Sequence, residues 1–187
     1  MLFRSELKAL AKEAGIEAGA ISGVAPSGTR VSSTMIRALI QSGDFTTAKN
    51  EIGRPYSISG KVLHGNALGR TLGFPTANIN LNRIVCPLVG VYAVKVKTLY
   101  GMFKGMANVG IRPTVEKGRL KNLLEVNLFN FNADLYGQEI EVFFVKKIRD
   151  EKKFDDLNSL KEQLHADRNT AMTLLENSDN NLNIVNE

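Results

Sequence analysis

Five runs of β-favouring residues, 57–64, 90–97, 102–109, 123–131 and 139–148, follow one another with turn residues between them. A parallel pair needs a crossover of about a dozen residues or more, usually a helix. Most of these gaps hold no such segment, so the chain is directed to an antiparallel sheet or barrel. In the fourth run Leu124, Val126 and Leu128 alternate with Glu125, Asn127 and Phe129. One face is therefore apolar, and the other carries a carboxylate and an amide. A closing helix follows, with Leu157, Leu160, Leu164, Ala171 and Leu174 or Leu175 as its apolar stripe, and Asp155 or Asp156 as N-cap. The Asn-rich end, 177–187, reads as a frayed polar tail.

The first 53 residues have a different character. Leu7, Leu10, Ala11 and Ala14 recur at helical spacing, and Gly15 suits the left-handed stop. Gly19 to Arg30 is a loop by composition. Ser32 or Ser33 caps a short helix closed by Gly43, and Asp44 caps another that ends at Gly53. None of these pieces carries a strand pattern able to form a sheet of its own.

Composition narrows the function. No apolar run approaches the ~20 residues of a membrane span, so no membrane partner is expected. The N-terminus has no secretory signal pattern, and the single cysteine, Cys86, cannot form an internal disulfide; both point to a reducing, cytoplasmic setting. Lys and Arg outnumber Asp and Glu by 24 to 19, a net +5 that suits acidic partners such as phosphates. The cations are scattered and Trp is absent, which argues against a nucleic-acid partner.

Three segments can carry chemistry. In Gly60 to Asn78, the glycines Gly65, Gly69 and Gly73 let backbone N–H groups approach an anion, and Arg70 adds a charged donor. It is neither a Walker A loop nor a dinucleotide fingerprint. After Pro75, Thr76 and Asn78 point to the same side of an extended stretch. Their neutral oxygens suit Mg²⁺ that takes its other ligands from phosphates and water. The same segment also reads as a Gly-rich hairpin whose polar side chains satisfy backbone groups. Glu125 sits mid-strand between apolar neighbours, where a carboxylate facing a cleft could accept a proton from a hydroxyl; otherwise it lies on the wet face of a half-exposed strand. Lys146 to Leu160 is either a basic loop facing a ligand or a solvated charge run. Asn108 to Thr114 reads as a Gly/Pro turn.

Taken in order, GRPYSISGKVLHGNALGRTLGFPTAN, GVYAVKV, ANVGIRPT, LEVNLFNFNADLYGQEIEV and IRDEKKFDDLNSLKEQLHAD resemble the riboflavin kinase module of bacterial bifunctional riboflavin kinase/FMN adenylyltransferases. The resemblance implies a mainly β fold: a closed six-stranded antiparallel Greek-key barrel with a C-terminal helix, over residues 54–176. It implies phosphorylation of riboflavin by Mg²⁺ and ATP to FMN and ADP. Thr76 and Asn78 match the metal- and phosphate-binding residues, Gly65 and Arg70 the nucleotide loop, and Glu125 the general base. Arg149, Lys152 and Asp155 match the loop that closes over the flavin. Asn127 departs from the pattern, standing where the family leads one to expect His.

Residues 1–53 resemble the end of the adenylyltransferase module, an α/β nucleotidyltransferase, with Ser32, Ser33, Thr34 and Arg37 in its Ser-Ser-Thr-x-Ile-Arg motif. The upstream nucleotide-binding strand of that module is not among the 187 residues, so FMN but not FAD is the expected product. The expected partners are small-molecule substrates, with the chain a monomer. Two alternatives stand beside this reading: a non-catalytic flavin-binding module, and a basic barrel that binds nucleic acid.

Overall fold

The structure is a computed structural model that describes residues 4–19, 31–65, 68–81, 86–113 and 120–183. In chain order the elements are α1 (Arg4–Glu13), α2 (Ser33–Ser42), α3 (Phe45–Ile52), β1 (Ser57–Leu63), α4 (Leu68–Thr71), β2 (Ala77–Leu81), β3 (Gly90–Thr98), β4 (Gly101–Pro113), β5 (Leu120–Leu128), β6 (Glu139–Arg149) and α5 (Leu157–Asn183). Six strands close into a barrel in the order β1-β2-β5-β4-β3-β6, every neighbouring pair antiparallel. The strands β3, β4 and β5 form a meander, and β2 lies beside β5, which is a Greek key. Closure leaves no free sheet edge.

Inward positions alternate as strand geometry requires. Leu124, Val126, Val94, Val96, Ile79 and Val142 are among the buried side chains of the interior. Tyr92 is fully buried with them, and its hydroxyl donates to the Val89 carbonyl at 2.8 Å. Burial pushes its phenol up to about 12.

The outside of the barrel is not all wet. A second apolar cluster joins Phe74, Ala93, Met106 and Phe129 to Ala171 and Leu175 of α5, which lies across the barrel wall. Phe129 is 3% exposed and Asn127 5%, so the polar-looking face of β5 is covered rather than solvated. Three further expectations are corrected. Asn108–Pro113 is not a turn, because its residues pair with Leu120–Glu125 as a continuation of β4. β5 stops at Leu128, before Phe131; Asn130 then takes a left-handed φ of 54° that strand pairing cannot accommodate. Helix α5 passes through the expected tail as far as Asn183, whereas 184–187 lie outside the described residues.

Charges secure both ends of α5. Asp156 accepts from the N–H groups of Asn158 and Ser159 and from the Ser159 hydroxyl at 2.7–2.9 Å. The Ser159 bonds hold its carboxyl below the usual range, and it is Asp156, not Asp155, that caps the helix. Near the far end, Asp179 bridges Lys104 and Lys95 at 2.7 and 2.6 Å, which lowers its carboxyl similarly. No helix among the described residues is long and apolar enough to cross a membrane.

The short N-terminal helices are capped as expected. Ser32 accepts from the Met35 N–H, and Asp44 from that of Thr47. Gly43 and Gly53 close the two helices in left-handed conformations. Helices α2 and α3 also contribute to the barrel's own core: Ile40, Phe45 and Ala48 belong to the interior cluster. Phe45 packs 5.9 Å from both Tyr92 and Phe144. The Gly19 to Arg30 loop lies outside the described residues apart from Gly19. Replacing Phe45 by Ala should lower stability by about 3–5 kcal/mol in denaturant unfolding, the cost of a large core truncation. An unchanged midpoint would show that α3 adds nothing to the barrel.

Candidate active site

Cross-strand register assembles the site. Asn78 on β2 lies opposite Glu125 on β5, and Glu125 lies opposite Asn108 on β4. The same row continues through Val91 on β3 to Arg149 on β6. Residues directly opposite in a sheet point to the same side, with Cβ atoms about 5 Å apart. Because Leu124 and Val126 point inward, this row faces out, and all five members line one cleft of about 380 Å³. A second row, two residues along, adds Asn127 beside Met106, with Thr76 at the mouth of β2.

The cleft has two kinds of wall. One is polar: Thr76, Asn78, Asn108, Glu125 and Asn127. The other is apolar, made by Leu72, Phe74, Met106, Phe154, Leu160 and Leu164. The start of α5 and the 150–156 connection supply its outer side. A cleft of this size and mixed lining suits a small molecule with a planar apolar part and a polar tail.

Local bonds orient the polar side chains. Asn78 donates its Nδ2 to the Thr76 carbonyl at 3.3 Å, which leaves Oδ1 as the acceptor end. A Cβ at Gly65 would land on the Asn78 carboxamide, so glycine there lets the backbone lie over Asn78. Gly69 is equally tight against the Phe74 carbonyl, while its own carbonyl accepts from the Phe74 N–H at 2.7 Å. These contacts give the glycines of this segment their role in shaping the turn that delivers Pro75 and Thr76.

Arg149 is held more firmly than a free ligand-binding cation. Its Nε and Nη2 donate to both oxygens of Asp167, at 2.7–3.1 Å, and Nη1 donates to the Asp150 carbonyl at 2.9 Å. Three of its five N–H groups are thus used within the chain. Asp167 is 2% exposed and also accepts from Gln163 at 2.9 Å. The pair joins the end of β6 to α5 across the cleft. The Phe154 ring lies 5.8 Å from the Arg149 guanidinium and 5.5 Å from the Lys152 ammonium.

Of the residues expected at the site, Thr76, Asn78, Glu125, Arg149 and Lys152 line the cleft together. Gly65 adjoins it through Asn78. Arg70 and Asp155 are exposed and do not line it, because α4 and the turn before α5 carry them outward. Ser33, Thr34 and Arg37 lie on α2 with Ser32 as its N-cap, and none of the four lines the cleft. Residues 66 and 67 of the Gly-rich segment, and Thr114, lie outside the described residues.

Residues 52–175 match the Flavokinase family, described as riboflavin kinase. The chain belongs to the riboflavin kinase family. The matched residues cover the barrel and most of α5. The chain is 52% identical over 143 residues to the bifunctional riboflavin kinase/FMN adenylyltransferase of Haemophilus influenzae, covering 76% of the chain and 46% of that protein. It is 46% identical over 145 residues to the enzyme of the same name from Escherichia coli K12, covering 77% and 46%. A solved structure described as a macrolide-efflux protein from Streptococcus pneumoniae superposes with a TM-score of 0.68 at 39% identity, covering 80% of the chain and 48% of that one. The chain thus spans about half the length of the curated relatives it matches.

Family members handle ATP, and the polar wall fits a metal–phosphate group in a limited way. Among the described residues no three or more His, Cys, Asp or Glu gather to hold a metal ion. Thr76 and Asn78 offer neutral oxygens only, the donor set for a Mg²⁺ that arrives with its phosphates and keeps its waters. Sequence inspection missed Asn108, because its segment looked like a turn; strand pairing alone places it beside Glu125. Asp167 was equally unmarked, since nothing in a helix sequence shows which residue meets a distant Arg. Replacing Asp167 by Ala should cost about 1–3 kcal/mol in thermal or denaturant unfolding, the cost of leaving mostly buried charged donors unpaired. A loss under about 1 kcal/mol, the range of exposed pairs, would mean that this pair does not anchor α5.

Proposed function

We propose that the chain transfers the γ-phosphoryl group of ATP to the ribityl 5′-hydroxyl of riboflavin, giving FMN and ADP. The observation that carries this is the row Asn78–Glu125–Asn108 along the polar wall, opposite an apolar wall, in a riboflavin kinase family member. The flavin ring occupies the apolar lobe near Phe154, Leu160 and Leu164, and its polyol tail runs along β5. Lys152 and Phe154, from the connection before α5, close over the ring, while Arg149 braces that connection through Asp167.

Thr76 and Asn78 hold the metal that accompanies ATP. A Mg²⁺ held by these two residues would offset charge on the phosphate oxygens. The backbone near Gly65 lies against the phosphates, and Arg70, though exposed here, meets the nucleotide from the edge of the same segment. Glu125 accepts the hydroxyl proton as the oxygen attacks phosphorus and the bond to ADP breaks. Such proton transfer contributes about 10²–10⁴-fold. Asn78 and Asn108, one on each flank, keep the carboxylate pointed at the hydroxyl.

Residues 1–53 belong with the adenylyltransferase module of the relatives, with Ser32, Ser33, Thr34 and Arg37 in its phosphate-holding motif. The substrates are small molecules, the chain works as a monomer, and its setting is the cytoplasm. Incubation with riboflavin, Mg²⁺ and ATP, followed by chromatography, should give FMN without FAD; absence of FMN would overturn the kinase reading. Replacing Glu125 by Gln should cut turnover about 10²-fold or more while leaving flavin binding near intact. Unchanged turnover would remove Glu125 from the mechanism. Replacing Thr76 by Ala should raise the KM for Mg·ATP more than that for riboflavin, and equal rises would contradict the metal assignment.

A further inference from the structure

Asn127 lines the cleft, yet it is 5% exposed. Its Nδ2 donates to the Pro75 carbonyl at 2.7 Å. A carbonyl can only accept, so this bond decides which end of the amide is which. The other end, Oδ1, is buried and has no hydrogen-bond partner within the chain. A buried acceptor left without a donor destabilises the folded chain. Such a cost is tolerated where a ligand removes it.

We propose that Asn127 is a substrate-binding residue whose Oδ1 accepts a hydrogen bond from a hydroxyl of the polyol chain of the phosphoryl acceptor, further back than the hydroxyl that reacts. This rests on the kinase reading above. Asn127 and Glu125 are two apart on one face of β5, about 7 Å along the strand. An extended polyol running along β5 presents one hydroxyl to the carboxylate and a later one to the amide. Asn127 thus has two tasks, holding the turn that carries Thr76 and reading the polyol.

Flavin fluorescence titration separates these tasks. Asn127→Leu removes both the acceptor and the donor to Pro75. Asn127→His at about pH 5.5 keeps a donor to Pro75 and has no acceptor, so an equal loss in the two variants assigns it to the acceptor. Each variant should bind riboflavin about tenfold more weakly, yet bind lumiflavin, which has the ring system and no polyol, as wild type does. In wild type, one ribityl-deoxy analogue of riboflavin should show the same tenfold loss, and in each variant that analogue and riboflavin should bind equally. If Asn127→Leu does not fold, Asn127→His carries the test alone. Equal weakening of riboflavin and lumiflavin, or additive losses in the analogue comparison, would overturn the proposal. FMN formation by the wild type together with either result sinks only the role of Asn127; absence of FMN sinks the kinase reading beneath it.

Discussion

The inward packing of Leu124, Val126 and Leu128 holds β5 in register, and the cleft depends on that register. A slip of one residue would reverse every side chain of the strand. Glu125 would then enter the apolar interior, where an ionised carboxylate is very costly. The same slip would break the row from Asn78 to Arg149. Core stability and site geometry are therefore one constraint. Barrel closure strengthens it, because β5 is paired on both sides and neither neighbour has a free edge along which to shift.

Helix α5 turns an outer wall into a pocket. Its apolar side covers Ala93, Met106 and Phe129, and the cleft lies beside this contact, where the helix begins. Asp179 near one end and Asp167 in the middle tie it to three strands through Lys95, Lys104 and Arg149. The two attachments differ in kind. The Asp179 pairs are partly exposed, of the sort usually worth about 0–1 kcal/mol. In the Arg149–Asp167 pair the carboxylate is buried and the guanidinium mostly so, and the pair serves chiefly to fix geometry. The connection that carries Lys152 and Phe154 lies between β6 and α5, and this pair anchors both of its ends.

Much of this could be read from residues alone. Antiparallel pairing followed from the missing crossovers, and the caps at Ser32 and Asp44 followed from local chemistry. The alternation in β5 correctly separated Glu125 and Asn127 from the interior side chains. It could not show what covers the outer face, because burial of Phe129 depends on α5, some 40 residues later. Asn108 was hidden for a similar reason: Gly110 and Pro113 are turn residues locally, and only pairing with β5 keeps that stretch extended. The length of α5 was underestimated because its last turns lack an apolar stripe; near their start, the Asp179 ion pairs hold the helix to the barrel.

Position 127 carries an amide, which holds the Pro75 turn with one end and offers an acceptor with the other. The neighbouring strands follow the same logic, since Asn78 and Asn108 flank Glu125 with amides rather than charges. The cations of the cleft are kept at its far side, where Arg149 is neutralised by Asp167 and Lys152 lies over the Phe154 ring. The wall around Glu125 is thus lined by amides, with the paired cations set apart from it.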